Sequence, residues 1–150
     1  MGYAPLPNGH VGLNVTDLER SLAFYRKVFD LKTFVESDED GKRFALLGVG
    51  DDLTITLWEQ SEGEFSPKAP GLHHLSFQAP DIETVQAAEA VLRELGATIF
   101  HDGIVPHGEG GSSGGVFFAD PDGIRLEIYA PSGADTAPAP TKGAPTCGFF

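Results

Sequence analysis

Apolar and polar residues alternate in short runs along this chain, give way to helical spacing, and then do both again. In the stretch from 9 to 15, Val11, Leu13 and Val15 take one face of a strand, while His10, Gly12 and Asn14 take the other. Leu18, Leu22, Tyr25 and Phe29 follow at helical intervals behind Asp17, whose carboxylate suits a helix N-cap. Strands are predicted over 33–36, 43–47 and 53–58, separated by the turn-forming runs Asp38-Glu-Asp-Gly41 and Gly48-Val-Gly-Asp-Asp52. The order restarts with a strand over 74–79, an Asp81 cap and a helix over 82–95. That helix carries the stripe Ile82, Val85, Ala88, Leu92 and Leu95, with Gly96 placed to end it. Strands over 98–100, 115–119 and 124–129 complete the second pass.

The repeat is in register. His10 and His74 open equivalent strands 64 residues apart, and Leu31 matches Leu95 at the same offset. Thr56 and Glu127 correspond at an offset of 71, the difference falling in an enlarged glycine-rich loop over 102–114 that contains His107 and Glu109. The expected fold is therefore α+β: two tandem β-α-β-β-β modules, about 8–60 and 72–131. One domain is expected over 1–131, followed by a Pro/Gly/Ala-rich tail over 132–150 ending in the apolar Cys147-Gly-Phe-Phe150, which is expected to dock on a subunit surface.

The polar strand faces hold the candidate chemistry. Arg125, Glu127 and Tyr129 oppose Ile124, Leu126 and Ile128, just as His74, Ser76 and Gln78 oppose Leu75, Phe77 and Ala79. If the sheet curls with these faces inward, His10, His74 and Glu127 meet as ligands for a divalent metal. Alternation points His73 to the Leu75 face, away from that set. Taken singly, each histidine is compatible with a plain solvent-facing position; the duplicated placement singles them out.

Charge and composition narrow the partners. A net charge of −12 argues against nucleic acid and anionic membranes. No apolar run reaches membrane-spanning length, and Met-Gly-Tyr-Ala-Pro-Leu-Pro lacks the basic and apolar parts of a signal peptide. The single cysteine, Cys147, excludes an internal disulfide framework. A cytoplasmic location, a small-molecule substrate and a homodimer are the expectations.

His10-x-Gly-Leu-x-Val with Ser21-Leu-Ala-Phe-Tyr25, His74-Leu-Ser-Phe, and Phe118-x-Asp-Pro-Asp-Gly-x-x-Leu-Glu127 together resemble the vicinal oxygen chelate superfamily. This superfamily includes glyoxalases, extradiol dioxygenases, fosfomycin-resistance thiol transferases and bleomycin-binding proteins. The resemblance implies that the two modules form a cupped eight-stranded mixed sheet with helices on its outer face, and that His10, His74 and Glu127 are metal ligands. Fe(II) is favoured, and Zn(II), Mn(II), Ni(II) or Co(II) suit the same donors. It also implies Lewis-acid binding of a substrate through adjacent oxygens.

Among the subfamilies, glyoxalases usually add a Glu or Gln ligand where this chain has Thr56, with Glu59 just beyond. Extradiol dioxygenases keep three ligands; Val105-Pro-His107 and the run from Val116 to Gly123 partly match their signature, with Phe117 where tyrosine is usual. Fosfomycin-type transferases share Arg125-Leu-Glu127 but place threonine where Gly12 stands. The leading reading is an Fe(II) extradiol-type dioxygenase. The alternatives are a glyoxalase-like lyase or isomerase, a thiol transferase, and, from another class, a metal-free drug- or metabolite-binding resistance protein.

His107 is the candidate acid or base. Arg125 is set either to neutralise a substrate anion or to pair with a neighbouring carboxylate. Asn14, Trp58, Ser76, Gln78, Phe117 and Tyr129 are candidates for substrate contact. Pairing of the modules within one chain and swapping between two chains both remain open at this point.

Overall fold

The structure, a computed structural model, describes Gly2 and residues 4–150; Met1 and Tyr3, at the start of the domain expected over 1–131, lie outside the described residues. The chain divides into two compact units, Met1–Gly63 and Glu64–Phe150, and the tail belongs to the second.

In the first unit β1 (Val11–Val15) leads into α1 (Leu18–Phe29), followed by β2 (Lys32–Ser37), β3 (Phe44–Val49) and β4 (Asp52–Glu59). The strands order as β1-β4-β3-β2, with β1 parallel to β4 and the other pairs antiparallel. Asp17 accepts the Arg20 amide at 3.1 Å, so the N-cap read from sequence is made. Leu18, Leu22, Phe24 and Tyr25 turn inward from α1 onto β3 and β4. There they meet the buried face of Leu13, Val15, Ala45, Leu47, Ile55 and Leu57. Complete burial of each leucine, isoleucine or valine among them is worth about 1.5–3 kcal/mol. This apolar seam fixes which strand face is left for other work.

The second unit repeats the plan. Its elements are β5 (Leu75–Gln78), α2 (Ile82–Glu94), β6 (Ile99–Pro106), β7 (Gly114–Ala119) and β8 (Arg125–Ala130), ordered β5-β8-β7-β6. Again the first strand runs parallel to the last. Asp81 caps α2 through the Thr84 amide at 2.9 Å and the Thr84 hydroxyl at 2.6 Å, and these bonds hold its carboxyl below the ordinary range. Val85 and Leu92 are the buried side chains of α2. Each unit is thus an α+β β-α-β-β-β module with one four-stranded mixed sheet.

Two local features differ from the sequence reading. The glycine-rich stretch is not loop throughout, because β6 continues to Pro106 and β7 begins at Gly114. Pairing of β6 with β7 is interrupted between Phe100 and Val105, where His101, Asp102 and Gly103 all have positive φ. This left-handed bulge breaks apolar alternation, which is why periodicity stopped the strand at residue 100. The first unit's second turn is also tighter than read: β3 ends at Val49 and β4 begins at Asp52.

Asp120-Pro-Asp-Gly123 launches β8. Buried Asp120 accepts the amides of Asp122 at 2.9 Å and Ile124 at 2.8 Å, and Gly123 closes the turn with φ of 84°. Replacing Asp120 by alanine is expected to lower stability by roughly 1.5–3 kcal/mol, because two amides lose a charged acceptor. Asparagine, which keeps an acceptor oxygen, should lose clearly less; urea titration of both variants measures the difference.

Candidate functional site

Parallel pairing of β5 with β8 sets Leu75 opposite Leu126 and Ser76 opposite Glu127. Alternation then sends Leu126 and Ile128 into the core and Glu127 to the other face, yet Glu127 is only 2% exposed. A carboxylate so buried needs partners on both oxygens. Ser76 donates its hydroxyl to Oε1 at 2.7 Å, and Nε2 of His107 lies 2.5 Å from Oε2.

His107 is positioned by the end of β6. Its amide donates to the Ser113 carbonyl at 2.8 Å, and its Nδ1 lies 3.1 Å from the Ser113 hydroxyl. An imidazole that donates Nε2–H to the carboxylate leaves Nδ1 to accept from Ser113, so the two contacts select one tautomer. The ring lies between Tyr129, at 5.0 Å, and Phe117, at 6.2 Å.

His74 stands immediately before β5, half-buried, with Nδ1 2.8 Å from Nδ1 of the exposed His73. Burial lowers its pKa, Glu127 acts against that, and His73, Arg125 and His107 add to the lowering. At neutral pH the imidazole is therefore uncharged and carries a lone pair, the form a metal ligand requires. Tyr129 donates to the Gln78 side-chain oxygen at 3.0 Å. Phe117 is fully buried beneath the face. Among the described residues no carboxylate pairs with Arg125; its guanidinium lies 5.5 Å from the Phe150 ring centroid.

The first unit holds His10, Asn14 and Trp58. His10 is exposed just ahead of β1. Asn14 uses its side-chain oxygen to accept the Gln60 amide at 3.0 Å. Gly12 pairs with Thr56 as Ser76 pairs with Glu127, so Thr56 is the structural counterpart of the glutamate. Trp58 donates its indole N–H to Thr56 at 2.8 Å and stacks on Phe44 at 5.2 Å. Trp58 and Phe44 line a cleft of about 240 Å³ together with Arg43 and Glu59. Glu59 is engaged elsewhere, accepting from the Leu18 amide at 2.8 Å and from Arg43 at 3.2 Å.

Among the described residues, no group of three or more His, Cys, Asp or Glu is gathered to hold a metal ion. In the second unit Ser76 and His107 hydrogen-bond Glu127, and His74 stands near enough to feel the charge of that carboxylate. Nitrogen and carboxylate donors of this kind suit a divalent transition metal. Residues missed from sequence are Ser113, which orients His107, and His101, whose buried Nε2 has no hydrogen-bond partner. Alternation could not find either, since one lies in a turn and the other in the bulge. The tail residues Cys147 and Phe150 also reach this face: burial and then Glu127 raise the Cys147 thiol pKa, and Phe150 packs 5.6 Å from His74.

The His74 shift has a defined sign. A histidine whose folded pKa falls below its unfolded value contributes stability that is present above about pH 6.5 and lost as pH falls through the folded value. NMR titration of the imidazole should therefore give a midpoint below 6.5, and Glu127→Gln should lower it further by removing the opposing charge.

The family model described as Glyoxalase/Bleomycin resistance protein/Dioxygenase superfamily matches residues 8–128. A catechol-2,3-dioxygenase of Bacillus subtilis is 31% identical over 128 residues, covering 81% of this chain. This chain spans only 40% of that dioxygenase's length. A lactoylglutathione lyase of Neisseria meningitidis serogroup A is 31% identical over 133 residues, covering 85% of this chain and 93% of the lyase. The crystal structure of a glyoxylase/bleomycin resistance protein/dioxygenase domain from Frankia sp. EAN1pec superposes with a TM-score of 0.70 at 26% identity, covering 89% of this chain and 96% of that one. With the family match spanning most of its length and both sheets ordered as tandem modules, the chain belongs to the glyoxalase/bleomycin resistance protein/dioxygenase superfamily.

Proposed function

We propose that this protein is a metal-dependent enzyme acting on a small substrate that chelates the metal through adjacent oxygens, and that its reaction is an Fe(II) extradiol-type dioxygenation. The observation that carries this reading is Glu127, a buried carboxylate on a sheet face, oriented by Ser76 and His107 and lying near a histidine kept neutral by burial. His74 and Glu127 are two of the ligands, and His10 is the third on the sequence resemblance. A divalent ion bound there supplies Lewis acidity and, as Fe(II), access to oxygen chemistry.

The surrounding side chains have assignable tasks. Ser76 fixes one carboxylate oxygen and so the direction in which the other points. His107, in the tautomer set by Ser113, holds a proton at Nε2 and is the group that moves one to or from substrate. Arg125 offers its charge to an anionic substrate oxygen. Phe117 and Tyr129 supply an aromatic wall, while Gln78 steadies the Tyr129 hydroxyl. Asn14 and Trp58 are the first unit's substrate contacts in this reading.

A glyoxalase-like lyase is the second reading, favoured by the Neisseria lyase, which aligns over nearly its whole length. Against it, strand register puts Thr56 at the position equivalent to Glu127, and its hydroxyl already accepts from Trp58. Glu59 cannot substitute without releasing the α1 amide and Arg43. Three ligands suit the dioxygenase better than the lyase.

Protein purified without chelator and loaded anaerobically with Fe(II) is expected to bind one equivalent and to consume oxygen with a catechol. Failure to bind any divalent metal, combined with tight binding of an aromatic compound, would sink the proposal and favour a sequestering protein. Metal uptake with methylglyoxal–glutathione turnover and no oxygen consumption would move the assignment to the lyase. Ser76→Ala should weaken metal affinity by about 10–100-fold, as read by competition with a chromophoric chelator. His107→Ala should lower kcat by about 10²–10⁴-fold when assayed at saturating metal, and should weaken metal affinity on the scale of Ser76→Ala because it too removes a Glu127 partner.

A further inference from the structure

The stretch after β8 has linker composition, yet it is fastened to the second unit at four points. The Ala134 amide donates to Ser112 at 2.9 Å, and Ala134 is fully buried. The Gly143 amide donates to Glu109 at 3.1 Å. Thr146, also fully buried, donates its amide to the His107 carbonyl at 2.8 Å and its hydroxyl to the Pro106 carbonyl at 2.7 Å. A short 3-10 turn, Thr146–Gly148, then reverses the chain.

That turn sorts the last two phenylalanines. Phe149 is 58% exposed, whereas Phe150 is directed back onto the polar face. Its ring centroid lies 4.9 Å from Phe117, 5.4 Å from Phe100, 5.6 Å from His74 and 6.4 Å from His73. Arg125 sits 5.5 Å from the same ring, within cation–π range. One aromatic ring is therefore enclosed by two imidazoles, a guanidinium and two phenyl rings, above the strands that present Glu127.

We propose that residues 146–150 are a tethered occupant of this face: Phe150 fills the place of a small aromatic ligand beside His74 and Arg125, and must swing out before one can bind. The proposal rests on Proposed function only for the identity of that ligand; the docking and release of the segment stand on the contacts above. The anchor is local, since Thr146 bonds to the strand end that carries His107, while Phe150 meets the face through ring contacts and the turn before it is closed by the Gly148 and Phe149 amides on Pro145 and Thr146. Release therefore requires only rotation within Cys147–Phe150, with Thr146 still in place. A tethered competitor of this kind lowers apparent ligand affinity by the fraction of time the face is uncovered.

The test needs no metal and no turnover. The full chain, a chain ending at Pro145 and Phe150→Ala are each treated with diethyl pyrocarbonate, and modification of His74 is followed by mass spectrometry. Both variants are expected to react at His74 about tenfold faster than the full chain, with unchanged circular dichroism. The peptide Thr-Cys-Gly-Phe-Phe added in trans should restore protection to the shortened chain, and 4-nitrocatechol should compete with that peptide. Equal His74 reactivity in all three proteins would overturn the proposal, as would a peptide that protects none of them. Peptide protection that 4-nitrocatechol leaves intact would overturn the competition. Because metal loading and oxygen uptake are measured separately, failure here and failure of the dioxygenase reading are told apart. Phe150→Ala keeps the Thr146 anchor, so a loss of protection confined to the shortened chain assigns the effect to the anchor and overturns the role of the ring.

Discussion

Parallel pairing between the first and last strand of a module is the constraint on which the remaining chemistry depends. It joins residues 51 apart in sequence, Ser76 and Glu127, and obliges the chain to travel through a helix and two further strands before returning. Without a hydroxyl opposite it, Glu127 would be a carboxylate flanked by buried Leu126 and Ile128 with too few partners. Burial of such a group is tolerable only when its oxygens are satisfied. The crossover helix, the Asp120 turn and the end of β6 all act to keep those partners in place.

Electrostatics on this face follow from that arrangement. The carboxylate sits close enough to His74 to oppose the effect of burial, but burial prevails and the imidazole stays neutral. His107 is handled differently: Ser113 and Glu127 engage its two nitrogens, and Phe117 and Tyr129 flank its ring. One histidine is shaped mainly by burial and the other mainly by two hydrogen bonds. Two identical side chains thus acquire separate chemistry from their surroundings alone.

Much of the fold was legible because burial imposes periods. The stripe from Leu18 to Phe29 marked α1 with both ends correct, and Asp17 and Asp81 marked their caps because a carboxylate ahead of a helix has an evident use. The alternation around His74 and Glu127 separated the polar face from the core for the same reason. Legibility failed where the backbone leaves ordinary φ/ψ space. Three consecutive positive φ values at His101, Asp102 and Gly103 allow β6 to resume beyond a bulge, and no hydrophobic pattern signals that resumption. Ser113 and Thr146 were equally hidden, since turns and tails carry no period; docking of the apolar tip was legible from its composition, but not its place beside His74 and Phe117. Arg125 illustrates another limit: its position was clear from alternation, but its aromatic neighbour came from a segment read as linker.

Gly12 carries a consequence for the first module. With no side chain opposite Thr56, there is room for the Trp58 indole to reach back; a β-carbon on Gly12 would stand 3.2 Å from the Thr56 hydroxyl and 3.5 Å from the indole nitrogen. The small residue and the large one are therefore a matched pair: a side chain at position 12 would crowd both the Thr56 hydroxyl and the indole that donates to it. Two modules of one plan thus diverge at a single strand pair: a serine faces a glutamate in the second, while in the first a glycine faces a threonine and leaves its hydroxyl to an indole.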